Sequence, residues 1–147
     1  MTPAVLPAPP LQLDAATLDA FLRAAFPDLD VSAEVTGLTP GRLRLRQPIA
    51  RDHLRPGETL SGPTLMTLAD TAMYLLVLAH IGLEPMAVTS HLSIDFLRRA
   101  QGTVALADAT LLRLGRRNAV GQVLLYVEGD DAPVAAAQVT YALPPRV

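Results

Sequence analysis

The stretch from Ser61 to Gly82 restricts this chain more than any other. Ser61 or Gly62 can cap a helix, Pro63 suits its first turn, and Gly82 supplies a C-terminal stop. Between them Leu65, Met66, Leu68, Ala69, Ala72 and Met73, then the run from Leu75 to Ala79, cover nearly every face. The pattern predicts a helix over 62–81 that is buried on all sides. No segment offers roughly 18 apolar residues without a charged one, so a membrane span is not expected. The rest of the chain must enclose this helix.

Strands are the material available to do so. Val88, Ser90, Leu92, Ile94 and Phe96 alternate with Thr89, His91, Ser93 and Asp95. Further strands are predicted over 104–114, 120–128 and 134–143, with turns at Gly115-Arg116-Arg117-Asn118 and Gly129-Asp130-Asp131. Short turns make the four late strands largely antiparallel. Upstream, Asp14 reads as the N-cap of a helix over 15–25, with Leu18, Phe21, Leu22 and Ala25 on one face and Pro27 as its stop. Val31, Ala33 and Val35, then Leu43 and Leu45 between Arg42, Arg44 and Arg46, form a hairpin about the turn Gly37–Gly41. The stretch from Ile49 to Leu60 has no period and reads as a loop. Residues 1–12, rich in proline and alanine, read as a flexible tail, and 13–147 as one domain. The expected class is α+β: a long central helix wrapped by an antiparallel sheet, with an extra N-terminal helix. Such a sheet keeps open edges, which invite a second subunit.

At 147 residues the chain can bury a core of its own. It has no cysteine, which removes disulfides, thiolate nucleophiles and thiolate-bound metals. His53, His80 and His91 fit no metal-ligand spacing, and no cofactor is expected. The net charge is −2 with no basic stripe, so nucleic acid is not an expected partner. All twelve basic residues are arginine, which reads as a composition bias and does not by itself argue for phosphate recognition. The first ten residues lack the basic and apolar regions of a signal peptide, and a cytoplasmic protein is expected.

Two features of the helix suggest chemistry. Asp70 is a carboxylate in an apolar helix, and burying its charge without partners costs several kcal/mol. Either an arginine or polar backbone pairs with it, or it faces a cleft and works on a substrate. Gly62 lies where a helix offers free N–H groups and a partial positive charge. An N–H there can stabilise a developing oxyanion, with Gly62 or Thr64 as donor since Pro63 has none. Equally, Gly62 can simply permit a tight entry to the helix.

The segment Gly62-Pro63-Thr64-Leu65-Met66-Thr67-Leu68-Ala69-Asp70-Thr71-Ala72-Met73, followed by Val88–Ala100, Gly102 and Gly115-Arg116, resembles hot-dog-fold thioesterases of the phenylacetate-degradation (PaaI-like) type. The resemblance covers about residues 30–143. It implies a hot-dog domain, assembled as a dimer or a dimer of dimers, that cleaves acyl-CoA thioesters at the subunit interface. It places Asp70 on the family's catalytic carboxylate, as base or nucleophile. It places Thr89 where a serine or threonine from the partner subunit orients the attacking water. Ser61 stands where the family has histidine, and can bond the thioester or cap the helix. Pro63 joins the substrate-binding set, and Arg98, Arg99, Arg116 and Arg117 are the candidates for the CoA phosphates. The chain departs from the family in having Ser61-Gly62-Pro63 for His-Gly-Gly, and Arg55 near the place of a loop asparagine. Two other expectations compete. His53 with Asp70 would suit a hot-dog hydratase or dehydratase, and loss of the family histidine and asparagine would suit a non-catalytic acyl-CoA-binding relative.

Overall fold

A computed structural model describes residues 8–28 and 32–145. Helix α1 runs Ala15–Ala25. Strands β1 (Glu34–Thr39) and β2 (Arg42–Pro48) follow, then a single 3-10 turn, Arg51–His53. A two-residue ladder, β3 (Leu54–Arg55) and β4 (Thr59–Leu60), leads into α2 (Gly62–Ile81). Strands β5 (Val88–Phe96), β6 (Val104–Leu114), β7 (Asn118–Val127) and β8 (Ala135–Ala142) complete the chain. The large sheet is antiparallel at every pairing, in the order β1-β2-β6-β7-β8-β5. The expected architecture is the observed one.

Both helices begin on the side chains expected to cap them. Asp14 Oδ1 accepts from the Thr17 N–H at 2.8 Å, and Ser61 Oγ from the Thr64 N–H at 3.2 Å. These bonds satisfy N–H groups that the helix leaves without partners. Leu18 and Leu22 bury the inner face of α1, and Asp19 Oδ1 accepts the Val35 N–H at 2.9 Å, tying α1 to the β1 edge. The inner face of the sheet is lined by small residues, among them Ala105, Ala107, Ala109 and Ala137, which let α2 approach closely. Leu75, Leu76 and Leu78 are fully buried in that contact, each contributing about 1.5–3 kcal/mol. By length and composition α2 could cross a membrane, but most of its surface is buried inside this domain. Residues 8–12 run back over the end of α2, where the Gln12 N–H donates to the Ala79 carbonyl at 2.7 Å.

Four local expectations are corrected. The first hairpin does not turn at Gly37. β1 continues through Gly37-Leu38-Thr39, its register slips between Val35 and Gly37, and the chain reverses at Pro40-Gly41, with Gly41 at φ +80°. Val31 lies outside the described residues. The stretch 49–60 is not a plain loop: His53 Nδ1 accepts the Ala50 N–H at 2.8 Å to close the 3-10 turn, and β3 pairs with β4. α2 is not buried on all sides. Pro63, Met66 and Thr67 are exposed, and Asp70 and Tyr74 are half-buried. These positions recur every three to four residues, so they form one open stripe.

The fourth correction concerns β5. Alternation puts Thr89 with His91 and Ser93, away from Leu92. The register to β8 slips between Thr89 and His91, so Thr89 pairs with Tyr141, Leu92 with Val139 and Ile94 with Ala137. Val139, Ala137 and Tyr141 are inner-face residues, so this one-residue bulge turns Thr89 inward as well.

Candidate functional site

The open stripe of α2 carries Asp70, and the inward turn of Thr89 brings it there. Thr89 Oγ1 donates to Asp70 Oδ1 of its own chain at 2.5 Å, so it meets the carboxylate from the same subunit and not, as expected, from the partner. Tyr141 Oη donates to the same oxygen at 2.7 Å, its single proton shared with the Asp70 carbonyl at 3.1 Å. The carboxylate is thus held by two hydroxyls from the paired residues of β5 and β8. No arginine pairs with it among the described residues, so the expectation of a cationic structural partner is not met. Beside it opens a cavity of about 270 Å³ with walls from Leu22, Phe26, Tyr74, Pro85 and Val88. A carboxylate that is oriented, uncompensated by a cation and open to a cleft can accept a proton or attack an electrophile.

Sequence reasoning did not find Tyr141. It reads as one more inward residue after Ala135, Ala137 and Val139. It is the only one of these four that carries a hydroxyl, and it is 3% exposed. Burial, with the Asp70 carboxylate nearby, pushes its pKa far above the usual tyrosine value, so it stays a donor. Its ring stacks on Tyr74 with centroids 5.7 Å apart.

At the start of α2, Ser61 is the N-cap. Its Oγ accepts the Thr64 N–H and lies 2.8 Å from Thr64 Oγ1. The Thr64 N–H is therefore taken, while the Gly62 N–H has no partner among the described residues. Pro63 is exposed next to it. A Cβ on Gly62 would lie 3.3 Å from Phe96 Cζ, so the ring of Phe96 covers this entry to the helix.

The four arginines form two separated pairs. Arg98 and Arg99 follow Phe96, which pairs with Ala135. Arg116 and Arg117 precede Asn118, which pairs with Ala142, itself the partner of Val88. The pairs thus stand at opposite ends of β5, about 25 Å apart at the usual strand rise. Arg98 lies 3.7 Å from Asp130. Arg55 is exposed on β3. The His53 carbonyl accepts from the Ser61 N–H and the Thr64 hydroxyl, which fixes His53 at the start of α2, away from Asp70 in its own chain. His80 is 3% exposed. It accepts the Gly41 N–H on Nε2 at 3.0 Å, with Nδ1 3.4 Å from the Pro10 carbonyl. Burial lowers its pKa, so it is neutral rather than a cation at the helix end. Among the described residues no three His, Asp or Glu side chains come together as a metal site.

A larger cleft, of about 400 Å³, lies on the outer sheet face beside Asp108. There Arg44 makes a two-pronged bond to the carboxylate at 2.6 and 2.7 Å. That pair is closed on itself, which leaves its carboxylate engaged by a cation where Asp70 is not.

A family model described as thioesterase superfamily matches residues 57–134. No curated protein matches the chain. Among solved structures, a candidate thioesterase from Silicibacter sp. TM1040 is 42% identical. The match covers 95% of this chain and 97% of that one, at TM-score 0.86. A variant of phenylacetic acid degradation protein PaaI from Thermus thermophilus is 27% identical over 84% of this chain and 98% of that one, at TM-score 0.67. Zebrafish thioesterase superfamily member 2 is 23% identical over 90% of this chain and 100% of that one, at TM-score 0.78, a likeness of fold.

Proposed function

The chain belongs to the thioesterase superfamily, and from that premise we propose that this hot-dog domain hydrolyses a small or medium acyl-CoA thioester to the free acid and CoA. The observation that carries the proposal is Asp70: a carboxylate held by two hydroxyls, without a cation, on the open stripe of the central helix. Its cavity in one chain, of about 270 Å³, falls just below the roughly 300–1,000 Å³ of complete ligand sites, as a half-site awaiting a partner would.

In this reading Asp70 takes a proton from water as the water attacks the thioester carbonyl. Thr89, which touches the same carboxylate, orients that water. The Gly62 N–H stabilises the oxyanion, Ser61 holds the helix start in place, and the C–S bond breaks as Asp70 passes its proton to the leaving sulfur, releasing CoA thiol and the free acid. Water is the only second reactant, and no cofactor takes part. Pro63 and the arginines Arg98, Arg99, Arg116 and Arg117 contact the CoA portion. A cytoplasmic location, where acyl-CoA is found, suits such a substrate.

The site requires a second copy of the chain. Gly62 and Asp70 are eight residues apart on one helix, about 12 Å along its axis, too far for both to reach one carbonyl group. α1 covers the β1 edge, but β5 is a bare edge flanked by exposed Met86, Val88, Phe96 and Leu97, with Met66 exposed on α2. Pairing through that edge would cover them and bring Gly62 of the partner subunit to Asp70, as a dimer or within a dimer of dimers.

Release of free CoA thiol from a panel of acyl-CoA esters tests the reading. Hydrolysis of at least one short or medium ester is expected. Formation of enoyl-CoA without thiol release would instead support the hydratase chemistry, although His53 sits far from Asp70 within one chain. Binding without turnover would leave an acyl-CoA-binding protein.

A further inference from the structure

Both donors to the Asp70 carboxylate meet the same oxygen. Thr89 Oγ1 and Tyr141 Oη reach Oδ1, and among the described residues no donor reaches Oδ2. The two donors are cross-strand partners, brought into line by the bulge in β5. The Tyr141 hydroxyl also lies 3.1 Å from the Asp70 carbonyl, so its one proton is shared between side chain and backbone of the same residue. The tyrosine is itself held: its ring is buried and stacked on Tyr74, which packs against Phe21 of α1. A carboxylate clamped at one oxygen cannot rotate freely about χ2, and hydrogen bonds to an ionised acceptor are the strong kind.

We propose that Tyr141 is a positioning residue for the hydrolysis: by binding Asp70 Oδ1 it directs Oδ2 toward the attacking water as the oxygen that receives the proton. This rests on the reading of Asp70 as the base. Tyr141 borders the same cavity, but it is 3% exposed and its hydroxyl proton is directed at Asp70, so its part in the reaction runs through Asp70. The arrangement gives Thr89 and Tyr141 different loads. Thr89, at the exposed edge, can serve both carboxylate and water, whereas the buried Tyr141 serves the carboxylate's orientation.

The test is a mutant cycle on the full chain, read by thiol release and by melting. Tyr141→Phe keeps the ring on Tyr74 and removes only the donor. Its kcat should fall about tenfold or more, the scale of a lost bond to a charged group. Its KM should stay within about twofold, since a positioning role leaves ground-state binding alone. In the Asp70→Asn background the same change should cost nothing further, because there is no base left to aim. A purely structural tyrosine would lower turnover by the same factor in both backgrounds, and that result overturns the proposal. So does Tyr141→Phe at full turnover while Asp70→Asn is crippled, which would leave the base reading standing. Full turnover in Asp70→Asn would remove the base reading and the clamp with it. Should Tyr141→Phe fail to fold, Tyr141→Met fills the same space with an adaptable apolar side chain and no hydroxyl. A loss of kcat confined to the Asp70 background supports the clamp, and no loss overturns it.

Discussion

Gly62 and Asp70 share α2, yet the helix separates the free N–H of one from the carboxylate of the other by about 12 Å. If both act on one thioester, they come from two chains, and this can be tested by mixing. Asp70→Asn and Gly62→Val should each be nearly inactive alone. Co-expressed, they form mixed dimers in which one of the two sites has an intact Asp70 facing an intact Gly62. Random pairing should restore about a quarter of wild-type turnover. Light scattering on the wild type should give twice or four times 15.6 kDa. An active monomer, or mixtures as dead as their parents, would contradict the shared site.

Gly62 itself should tolerate no side chain. Gly62→Ala keeps the N–H but crowds it with a Cβ, so kcat should fall by up to roughly 10²-fold, the cost of losing an oxyanion donor outright. Its new Cβ would also press on Phe96 at 3.3 Å. Phe96→Ala separates the two effects. If the loss comes only from displacing the ring, the double variant recovers. If it comes from crowding the N–H, the double variant stays slow.

How far the sequence alone reached depended on whether a signal was local. α1 was legible to the residue and α2 to within about one, because caps and stops lie within a few residues of each helix end. Asp70 stood out because it is charged in an apolar run. Its partners were not legible. Tyr141 is remote in sequence, and it meets Asp70 only because β8 pairs with β5 in one register. The bulge at Thr89/His91 sets that register, and no local pattern in Val88–Phe96 marks it. Counting alternation instead puts Thr89 on the wrong face. The family resemblance singled out Thr89 where periodicity could not. The opposite placement of the two arginine pairs is likewise a product of strand order, which the sequence of turns leaves open.

That placement sharpens the expectation for CoA. Arg98 is engaged with Asp130, whereas Arg116 and Arg117 are exposed in the β6–β7 turn. Arg116→Ala with Arg117→Ala should raise KM for CoA esters several-fold, with kcat unchanged, as expected for lost phosphate contacts. Esters of a pantetheine analogue lacking the nucleotide phosphates should be unaffected. Arg98→Ala should do less. Equal effects on both substrate types would contradict the assignment.

His80 makes acid stability a test of the fold. Burial depresses its folded pKa below the ordinary value of 6.5. The unfolded chain therefore binds a proton at a pH where the folded one does not. His80's contribution is complete above the unfolded value and is lost as pH falls from there toward the lower folded value. Protonation of Nε2 would also remove the acceptor for the Gly41 N–H and loosen the β1–β2 turn from α2. The wild type should lose melting temperature between about pH 7 and pH 5, and His80→Gln should flatten that slope. A variant with the wild-type slope would show that other groups control it.

The decisive residue is Asp70. Asparagine is nearly isosteric and neutral, and its amide oxygen can still accept from Thr89 and Tyr141. Had an arginine paired with the carboxylate, removing the charge would strand a buried cation and cost stability. The partners found are hydroxyls, so no cation is stranded. Asp70→Asn should therefore melt within about 2 °C of the wild type. Turnover should fall by about 10²-fold or more, the scale of losing a general base. KM should change little, because the acyl cavity and the arginines are untouched. Stability and activity thus part company in one variant, which a structural aspartate cannot reproduce. A variant that melts much earlier and, assayed below its transition, turns over like the wild type would make Asp70 a structural residue, and the hydrolysis would need another base.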